Sequence, residues 1–359
     1  MSSDQPSRIA HAARAPARGA WSEPGTELVA PGVHRIPLPL HDELAAVNVY
    51  AIERPDGLTL VDAGQAMRSS RALLEKSLGE LGRSLPDVRE FLVTHAHRDH
   101  YTLATQVRRD LGTRIRLGIR EAPSIAAVSD PDWPAYVSQL AELRRCGAEA
   151  LADEVVAETL EQGMDASVWG PPDSWIVDDE VIEIGTRRLR AISTPGHTQG
   201  HLVFHDVASD LLFAGDHVLP HITPSIGLEP VPGRSPLADF LGSLRKVRRL
   251  PDCVLLPAHG PVVPSSHARV DELLLHHDDR LRHTLEAVRS GCVTGFDVAR
   301  RLKWTGRLVG YETLPMFHRM LAVVETSAHL RLLVEQQLLT ETVDAGVSRF
   351  AAAASGFDQ

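Results

Sequence analysis

Residues 91–104 read FLVTHAHRDHYTLA, an apolar run that leads into three histidines and one aspartate within six positions. His95 and His97 are two positions apart, so they point to the same side if they leave the end of an extended segment. Asp99 and His100 follow after a turn and can face a second point nearby. Neutral imidazoles suit Zn2+, and a carboxylate among them helps to hold a second cation. The stretch therefore predicts one loop that serves two divalent ions.

Further ligands must come from elsewhere in the chain, because four ligands from one loop cannot complete two sites. His197 in STPGHTQGH, Asp216 in LFAGDHV and His259 in LLPAHGP each follow an apolar strand candidate and lie beside a glycine. Glycine lets the backbone bend sharply next to an ion. A single histidine or aspartate at a strand end is usually a surface residue or a cap. Four such stretches in this order predict a dinuclear metal site.

The rest of the first 268 residues predicts an α/β layered core. The strand candidates ELVAPGVHRIPLPL, VNVYAIE and GLTLVDAG precede a helical pattern, SSRALLEKSLGELG, and the strand VREFLVT. Apolar positions have helical spacing between about 120 and 168, which predicts a helical insertion. Strands resume near Trp175 and continue as RRLRAISTPG, HLVFHDVASDLLFAGD and CVLLPAHG. We predict a catalytic domain over 27–268, preceded by a flexible tail over 1–26.

The last quarter of the chain predicts three helices and a closing hairpin. ARVDELLLHHDDRLRHTLEAVRS, TGFDVARRL and LPMFHRMLAVVETSAHLRLLVEQQLL precede LTETVDAGVSRF. Thr294 is a suitable N-cap for the second helix, and the hairpin is predicted to turn at Ala345 and Gly346. The pattern predicts a winged-helix-like domain over 269–350 and a flexible tail over 351–359.

These motifs resemble those of the metallo-β-lactamase superfamily over residues 27–268. The resemblance implies a four-layer αβ/βα sandwich whose metals lie at one edge between two sheets. The region after residue 268 resembles the winged-helix tail of the lactamase-β-2-like hydrolases. By match to the superfamily's motifs, His95, His97 and His197 would bind the first metal; Asp99, His100 and His259 would bind the second; Asp216 would bridge them; and Asp62 in LVDAG would steady the histidine-rich loop.

The resemblance implies a hydrolase that uses two Zn2+ ions, with iron or manganese as the alternative metals. Two such ions would lower the pKa of a shared water and give a hydroxide that attacks the carbonyl of a thioester or lactone. Asp99 would orient this nucleophile or shuttle its proton. The chain contains no GxSxG motif that would indicate a serine nucleophile.

Two positions discriminate within the superfamily. Flavo-diiron proteins carry a glutamate where His97 stands, so the histidine favours zinc hydrolysis over iron redox chemistry. Zinc β-lactamases usually lack an aspartate at the position of Asp216, whereas glyoxalase-II-like thioesterases and lactonases have one. The resemblance therefore favours a thioester or lactone over an antibiotic as the substrate.

Several further side chains are candidates for contact with the substrate. His217 and His221 follow the bridging aspartate, and either could hydrogen-bond a substrate oxygen or simply support the ligands. His201 and Tyr101 have the same two interpretations. PHITPSIGLEP is interpreted as a loop at the rim of the site. The aromatic residues Trp133, Tyr136 and Trp169 of the insertion could line an acyl pocket, whereas His276 and His277 are predicted to be solvated.

Three other activities fit the same motifs. The first is a single-stranded RNA endonuclease or phosphodiesterase, since two-metal sites suit phosphodiesters. The second is a mononuclear iron enzyme of the persulfide dioxygenase kind, against which the complete set of second-site ligands argues. The third is a sensor without catalysis, which seven intact ligands make a weaker interpretation.

Charge and composition restrict the partners. The net charge is -10, and residues 269–350 carry eleven basic and eleven acidic side chains, so no DNA partner is expected. No apolar run approaches the ~20 residues of a membrane span. Three widely spaced cysteines in 359 residues fit a reducing cytoplasm. We predict a small-molecule ester or thioester as substrate and a cytoplasmic location, and we expect the tail to form a homodimer or to cap the cleft.

Overall fold

A computed structural model describes residues 20–162, 165–306 and 308–353. The first half of the chain forms a seven-stranded sheet, in which the first four strands are antiparallel and the last four are parallel. In order across the sheet, the strands are β1 (Glu27–Ala30), β2 (Val33–Pro39), β3 (Ala46–Arg54), β4 (Gly57–Val61), β5 (Val88–Val93), β6 (Arg114–Gly118) and β7 (Ser174–Ile176).

Helices make the parallel connections of this sheet. α1 (Arg68–Glu80) joins β4 to β5, and α2 (Arg98–Leu111) joins β5 to β6. The predicted insertion lies between β6 and β7 and is helical, as the sequence indicated. It contains α3 (Ala122–Ser129), α4 (Val137–Arg145) and α5 (Glu149–Gln162).

A five-stranded sheet packs against the first one. It is antiparallel except for its last pair, and α6 makes that parallel connection. Its strands, in chain order and also in order across the sheet, are β8 (Val181–Ile184), β9 (Arg187–Ser193), β10 (Leu202–Asp206), β11 (Leu211–Gly215) and β12 (Val254–Pro257), with α6 (Pro236–Arg248) before β12.

The alternation of side chains along β10 and β11 shows how the layers form. Leu202, Phe204 and Phe213 face the first sheet, where the Phe213 ring meets Tyr50 edge-on with ring centroids 5.5 Å apart. The intervening Val203, Leu212 and Ala214 point away from the first sheet, into the core that lies behind the second sheet. On the far side of the first sheet, α1 and α2 cover a separate apolar core. The order is helix, sheet, sheet, helix, which confirms the predicted αβ/βα sandwich.

The C-terminal region is helical and ends in a hairpin, as predicted. Thr294 caps its second helix: its side chain accepts a hydrogen bond of 3.1 Å from the Asp297 N–H, and the Asp297 side chain accepts one from the Thr294 N–H. The elements are α7 (Ser266–Arg289), α8 (Gly295–Arg301), β13 (Lys303–Trp304), β14 (Val309–Gly310), α9 (Met316–Glu335), β15 (Leu339–Asp344) and β16 (Val347–Ala352).

The predicted boundaries can be placed on this structure. The boundary at residue 268 falls inside α7, and one core joins the insertion, the second sheet and the C-terminal helices. The division into two domains and the comparison with a winged helix stay predictions. Residues 1–19 and 354–359 of the predicted tails lie outside the described residues. Within the described ranges, no helix has the length and apolar character needed to cross a membrane.

One histidine and two elements differ from what the sequence predicted. The prediction that His277 is solvated was wrong: its side chain is fully buried, and its Nδ1 lies 3.3 Å from Nε2 of His329. The reason is that α9 packs along this face of α7. Neither β6 nor α6 was predicted from the sequence.

Candidate metal centre

The four stretches singled out in the sequence meet at one edge of the two sheets. β5 and β9 belong to different sheets and lead into His95 and His197, while β11 and β12 lead into Asp216 and His259. Gly215 makes the turn before the aspartate possible. It has a φ of +50°, and a Cβ on it would lie 2.7 Å from His201 Nε2 and from Thr94 Oγ1.

The first group of ligand candidates contains three histidines and one aspartate. Nδ1 of His97 lies 3.0 Å from Nε2 of His95 and 3.0 Å from Nε2 of His197. Nε2 of His197 lies 3.4 Å from Oδ2 of Asp216. The four ligand atoms are all within 4.8 Å of one another, so they can surround a single ion.

The second group lies beside the first. Oδ2 of Asp99 is 3.4 Å from Nε2 of His100 and 3.3 Å from Nε2 of His259. The other oxygen of Asp216, Oδ1, is 3.3 Å from the same nitrogen of His259 and 3.6 Å from that of His100. Asp216 thus offers one oxygen to each group, which is the arrangement expected of a bridging carboxylate.

Distances and unmet hydrogen bonds both fit divalent cations. Ligand bonds of about 2.0–2.1 Å at tetrahedral angles place neighbouring ligand atoms about 3.3–3.4 Å apart, close to the separations in both groups. His100 Nε2, His259 Nε2 and Asp216 Oδ1 are buried and have no hydrogen-bond partner among the described residues. Buried polar atoms normally have partners, so three such atoms aimed at one point indicate that this point holds an ion.

Comparison with known proteins agrees with this geometry. The family model described as the metallo-beta-lactamase superfamily matches residues 43–259, which include every ligand candidate. The chain belongs to the metallo-beta-lactamase superfamily. The family resemblance inferred from the sequence is thereby confirmed.

Individual members of the superfamily resemble the chain over most of its length. The probable metallo-hydrolase YqjP of Bacillus subtilis (strain 168) is 24% identical over 316 residues, which cover 85% of this chain and 92% of that protein. The atrochrysone carboxyl ACP thioesterase AgnL7 of Paecilomyces divaricatus is 25% identical over 245 residues, covering 68% of this chain and 60% of the relative.

Solved structures extend the likeness to the three-dimensional fold. The crystal structure of the metallo-beta-lactamase family protein TTHA1429 from Thermus thermophilus superposes with a TM-score of 0.75 at 28% identity, covering 90% of this chain and 99% of that one. Fold, relatives and ligand groups together make this chain a metal-dependent hydrolase of the superfamily.

The second ligand group is held by the first sheet. Nδ1 of His100 donates to Oδ2 of Asp62 at 2.9 Å, and Oδ1 of this aspartate accepts the Thr94 N–H at 2.8 Å. Asp62 therefore contacts both a histidine of the second group and the backbone of Thr94, which precedes His95. Nδ1 of His259 donates to the Ala46 carbonyl at 2.8 Å. Because Nδ1 of each ring donates to these partners, Nε2 is the nitrogen that faces the ligand group.

Burial and mutual repulsion keep the histidines of the first group neutral. Burial lowers the pKa of His95 well below its usual value, and the neighbouring histidine His100 lowers it further. Burial and the adjacent His97 lower the pKa of His197 to about 4. Neutral imidazoles have free lone pairs, which a metal needs.

The second group is electrostatically different. Burial tends to lower the pKa of His259, but Asp216 and Asp99 outweigh it and raise the pKa to about 10. His100 behaves in the same way, with Asp99 as its strongest stabilising charge. Both rings lie in a strongly negative environment that favours a positive charge.

The structure decides among the candidates for substrate contact. His217 is fully buried and its ring lies against Phe240, with ring centroids 5.2 Å apart, whereas His221 is exposed. His201 is also occupied: its Nε2 accepts the Asp216 N–H at 3.1 Å, so its Nδ1 donates to Thr194 Oγ1 at 2.8 Å. Of these three histidines, only His221 has an exposed side chain.

Most of the aromatic candidates contact other residues of the fold. Tyr101 is fully buried, and its hydroxyl donates to the Gly170 carbonyl at 2.7 Å. Trp169 stacks on this ring with centroids 6.1 Å apart. Trp133 is half-buried, and Tyr136 is partly exposed beside Phe317 of α9, with ring centroids 6.2 Å apart.

Sequence reasoning missed three buried polar residues around the ligands. Glu121 accepts a hydrogen bond from the hydroxyl of Thr198, the residue after His197, and its other carboxyl oxygen is buried without a hydrogen-bond partner among the described residues. Asn48 and Gln139 hold backbone carbonyls near the ligands. A polar residue inside the apolar strand VNVYAIE was a usable signal for Asn48. The sequence contains no comparable signal for Gln139.

Proposed function

We propose that this chain is a dinuclear zinc hydrolase that cleaves a thioester or a lactone. The observation that carries the proposal is Asp216, which directs one carboxylate oxygen to each ligand group. A bridging carboxylate suits two ions that act on one substrate. Zinc is preferred over iron or manganese because five of the seven ligands are imidazoles and the first group has three of them.

Two bound ions would supply a hydroxide at neutral pH and would polarise the substrate carbonyl. The chain's own contribution is to orient the reactants. Asp99 is the most exposed ligand of the second group, with 18% of its side chain accessible, against 3% for His259 and none for His100. It therefore faces the mouth of the site, and we assign it the role of orienting the attacking water and accepting its proton.

A protein nucleophile has no support in this chain. Cys146 and Cys253 are both buried, and burial raises the pKa of their thiols to about 12 and about 11. Such thiols stay protonated and unreactive. Cys292, the third cysteine, is in the C-terminal region and is not a member of either ligand group.

The relatives favour a thioester over other carbonyl substrates. The name of AgnL7 states that it is a thioesterase acting on a carboxyl ACP, and it aligns with 68% of this chain. We therefore rank small thioesters first and lactones second. Single-stranded RNA and persulfides are the substrates of the alternative activities. The cytoplasmic location, the absence of a DNA partner and the homodimer stay predictions from the sequence.

The test combines metal content with a substrate panel. Zinc-loaded protein is assayed for thiol release from acyl-CoA and acyl-glutathione thioesters, and for opening of simple lactones. His100→Ala should lower turnover by more than the 10–100-fold that loss of an outer-shell partner typically causes. His283→Ala, the same substitution at an exposed position of α7, is the control and should keep full turnover.

Other results would redirect or reject the proposal. A protein with two metals that is inactive on the whole panel but cleaves single-stranded RNA would be a nuclease. One iron per chain, with oxygen consumed on glutathione persulfide, would identify a dioxygenase. Thiol release that survives in His100→Ala would reject the dinuclear mechanism.

A further inference from the structure

The loop of residues 225–230, here named the rim loop, fixes two ligand histidines of the first group. Nδ1 of His197 donates to the Ser225 carbonyl at 2.8 Å, and Nε2 of His97 donates to the Leu228 carbonyl at 2.7 Å. The other nitrogen of each ring faces the ligand group. The rim loop therefore determines both the orientation and the protonated nitrogen of these rings.

One buried side chain holds the rim loop. Gln139 of α4 is only 3% exposed, and its Nε2 donates to the carbonyls of Gly227 and Glu229 at 2.8 and 2.9 Å. These are the carbonyls on either side of Leu228, whose own carbonyl accepts from His97. Both hydrogens of the amide are thus used to fix one short piece of backbone.

The helix that carries this amide is attached to the C-terminal region. One turn after Gln139, Glu142 accepts hydrogen bonds from Ser327 and Arg331 of α9. The rim loop also touches α9 directly. Gly227 has a φ of +89°, and a Cβ on it would lie 2.7 Å from a methyl group of Val324. The rim loop is therefore enclosed between the insertion and the C-terminal region.

The second group is supported in the same way, by a buried amide from a different part of the chain. Asn48 of β3 is fully buried, and its Nδ2 donates to the carbonyls of Pro257 and Gly260 at 2.9 and 2.8 Å. These carbonyls lie on either side of His259. Each ligand group thus has one amide that holds the backbone around a ligand, and the two amides are independent of each other.

We propose that Gln139 is a positioning residue for the first metal group, and that α4 and α9 form a brace that keeps this group in its binding geometry. The proposal rests on the dinuclear centre proposed above. It assigns a role to the insertion and the C-terminal region that does not depend on the substrate. Removing the amide should loosen the first group and leave the second unchanged.

Metal affinity measured one group at a time tests this. His100→Ala leaves the first group as the intact one, and His97→Ala leaves the second. In each background, Co2+ is titrated into metal-free protein by visible absorption, and Zn2+ by competition with a chromophoric chelator. Gln139→Met keeps the length of the side chain and removes both donors. It should weaken the first group by 10–100-fold, the range for outer-shell partners, and the second group by less than about twofold.

Asn48→Leu is the matched reciprocal variant. It should weaken the second group and spare the first. A third variant, Ser138→Ala, removes the 2.6 Å hydrogen bond from α4 to the Pro230 carbonyl. It should show the same preference for the first group with a loss of a few-fold, and it keeps the test decisive if Gln139→Met does not fold. Far-UV circular dichroism of each metal-free variant monitors folding.

The outcomes separate this inference from the proposed function. Selective weakening of the first group, with an altered Co2+ spectrum at that group, supports the brace. Equal weakening of both groups, or no change in either, overturns the brace while the dinuclear centre stands. A parent protein that takes up no metal overturns both.

Discussion

The two ligand groups of the centre share Asp216 and differ in almost everything else. The first contains three neutral histidines, and two of them, His97 and His197, donate through their outer nitrogens to carbonyls of the rim loop. The second contains Asp99 and is supported by Asp62 and the Ala46 carbonyl, both next to strands of the first sheet. Charge is thus concentrated at the second group. The geometry of the first group depends instead on the rim loop and on helices of the insertion and the C-terminal region.

This difference shows which parts of the chain can vary without loss of the centre. The sheet that supports the second group also forms the core of the sandwich, so changes there affect stability and metal binding together. The insertion and the C-terminal region act on the first group through the rim loop, whose backbone carbonyls accept hydrogen bonds from His97 and His197. Apart from the side chains that hold this loop, such as Gln139, their side chains can change as long as the carbonyls stay in place.

The largest effect is expected when a ligand is removed from either group. His197→Ala should abolish binding at the first group, and His100→Ala should abolish binding at the second, because each removes an inner ligand. Both should reduce turnover by more than 10²-fold, beyond the typical range for outer-shell partners. Metal content by atomic absorption and turnover on the best thioester are the measurements.

The comparison predicts that these two losses are independent of each other. Each variant should retain about one ion per chain, held by the group that is still intact. If His197→Ala lost both ions while His100→Ala lost only one, the groups would bind in sequence rather than independently, and the division into two supports would be wrong.

A smaller effect is expected from Glu121, which lies behind the first group. Burial raises the pKa of this carboxyl from its ordinary value of 4.5 to about 7. A carboxyl whose pKa is raised by folding stabilises the protein at low pH, and this stability is lost as the pH rises through the folded-state value. The difference between the two pKa values corresponds to about 3 kcal/mol.

Glu121→Gln keeps the shape and removes the titration. The free energy of unfolding of the parent should therefore fall relative to this variant by about 3 kcal/mol between pH 4 and pH 9. Urea unfolding of both proteins at several pH values gives the difference, in which shared titrations cancel. A difference that does not change with pH would show that folding leaves the pKa of Glu121 unchanged.

The smallest effect is expected in the C-terminal region away from the brace. Thr294→Ala removes the N-cap of α8 and should lower the free energy of unfolding by about 1 kcal/mol. Both metal affinities should stay unchanged, because the capping hydrogen bonds of Thr294 are made with Asp297 in the first turn of α8. Thr294→Ser should restore the lost stability. Weaker binding at either group in Thr294→Ala would extend the brace to the whole C-terminal region.

The elements that could be predicted from sequence are those with a strong local signal. The hairpin turn at Ala345 and Gly346 and the cap at Thr294 depend on neighbouring residues, and both were predicted correctly. α6 also carries a signal, with Leu237, Phe240, Leu241 and Leu244 at helical spacing. β6 is only five residues long and has two large apolar side chains, Ile115 and Leu117, so its alternation is too short to stand out.

Other features depend on contacts between distant parts of the chain. His277 has the sequence environment of a solvated helix position, yet it is buried against a histidine 52 residues away. Gln139 holds carbonyls 88 and 90 residues further along the chain. No local pattern can indicate such partners, because each half of the contact is ordinary by itself.

The sequence alone determined the types and order of the ligand candidates and the loop that carries four of them. This was possible because metal chemistry selects residue types, and because the spacing H-x-H-x-D-H is fixed by covalent geometry. The tertiary structure alone decided that the two oxygens of Asp216 face different groups and that each group has its own amide support. These facts depend on where the two sheets, α4 and α9 meet in space. Hydrogen bonds and metal bonds act over about 2–3 Å, regardless of the separation of the residues along the chain.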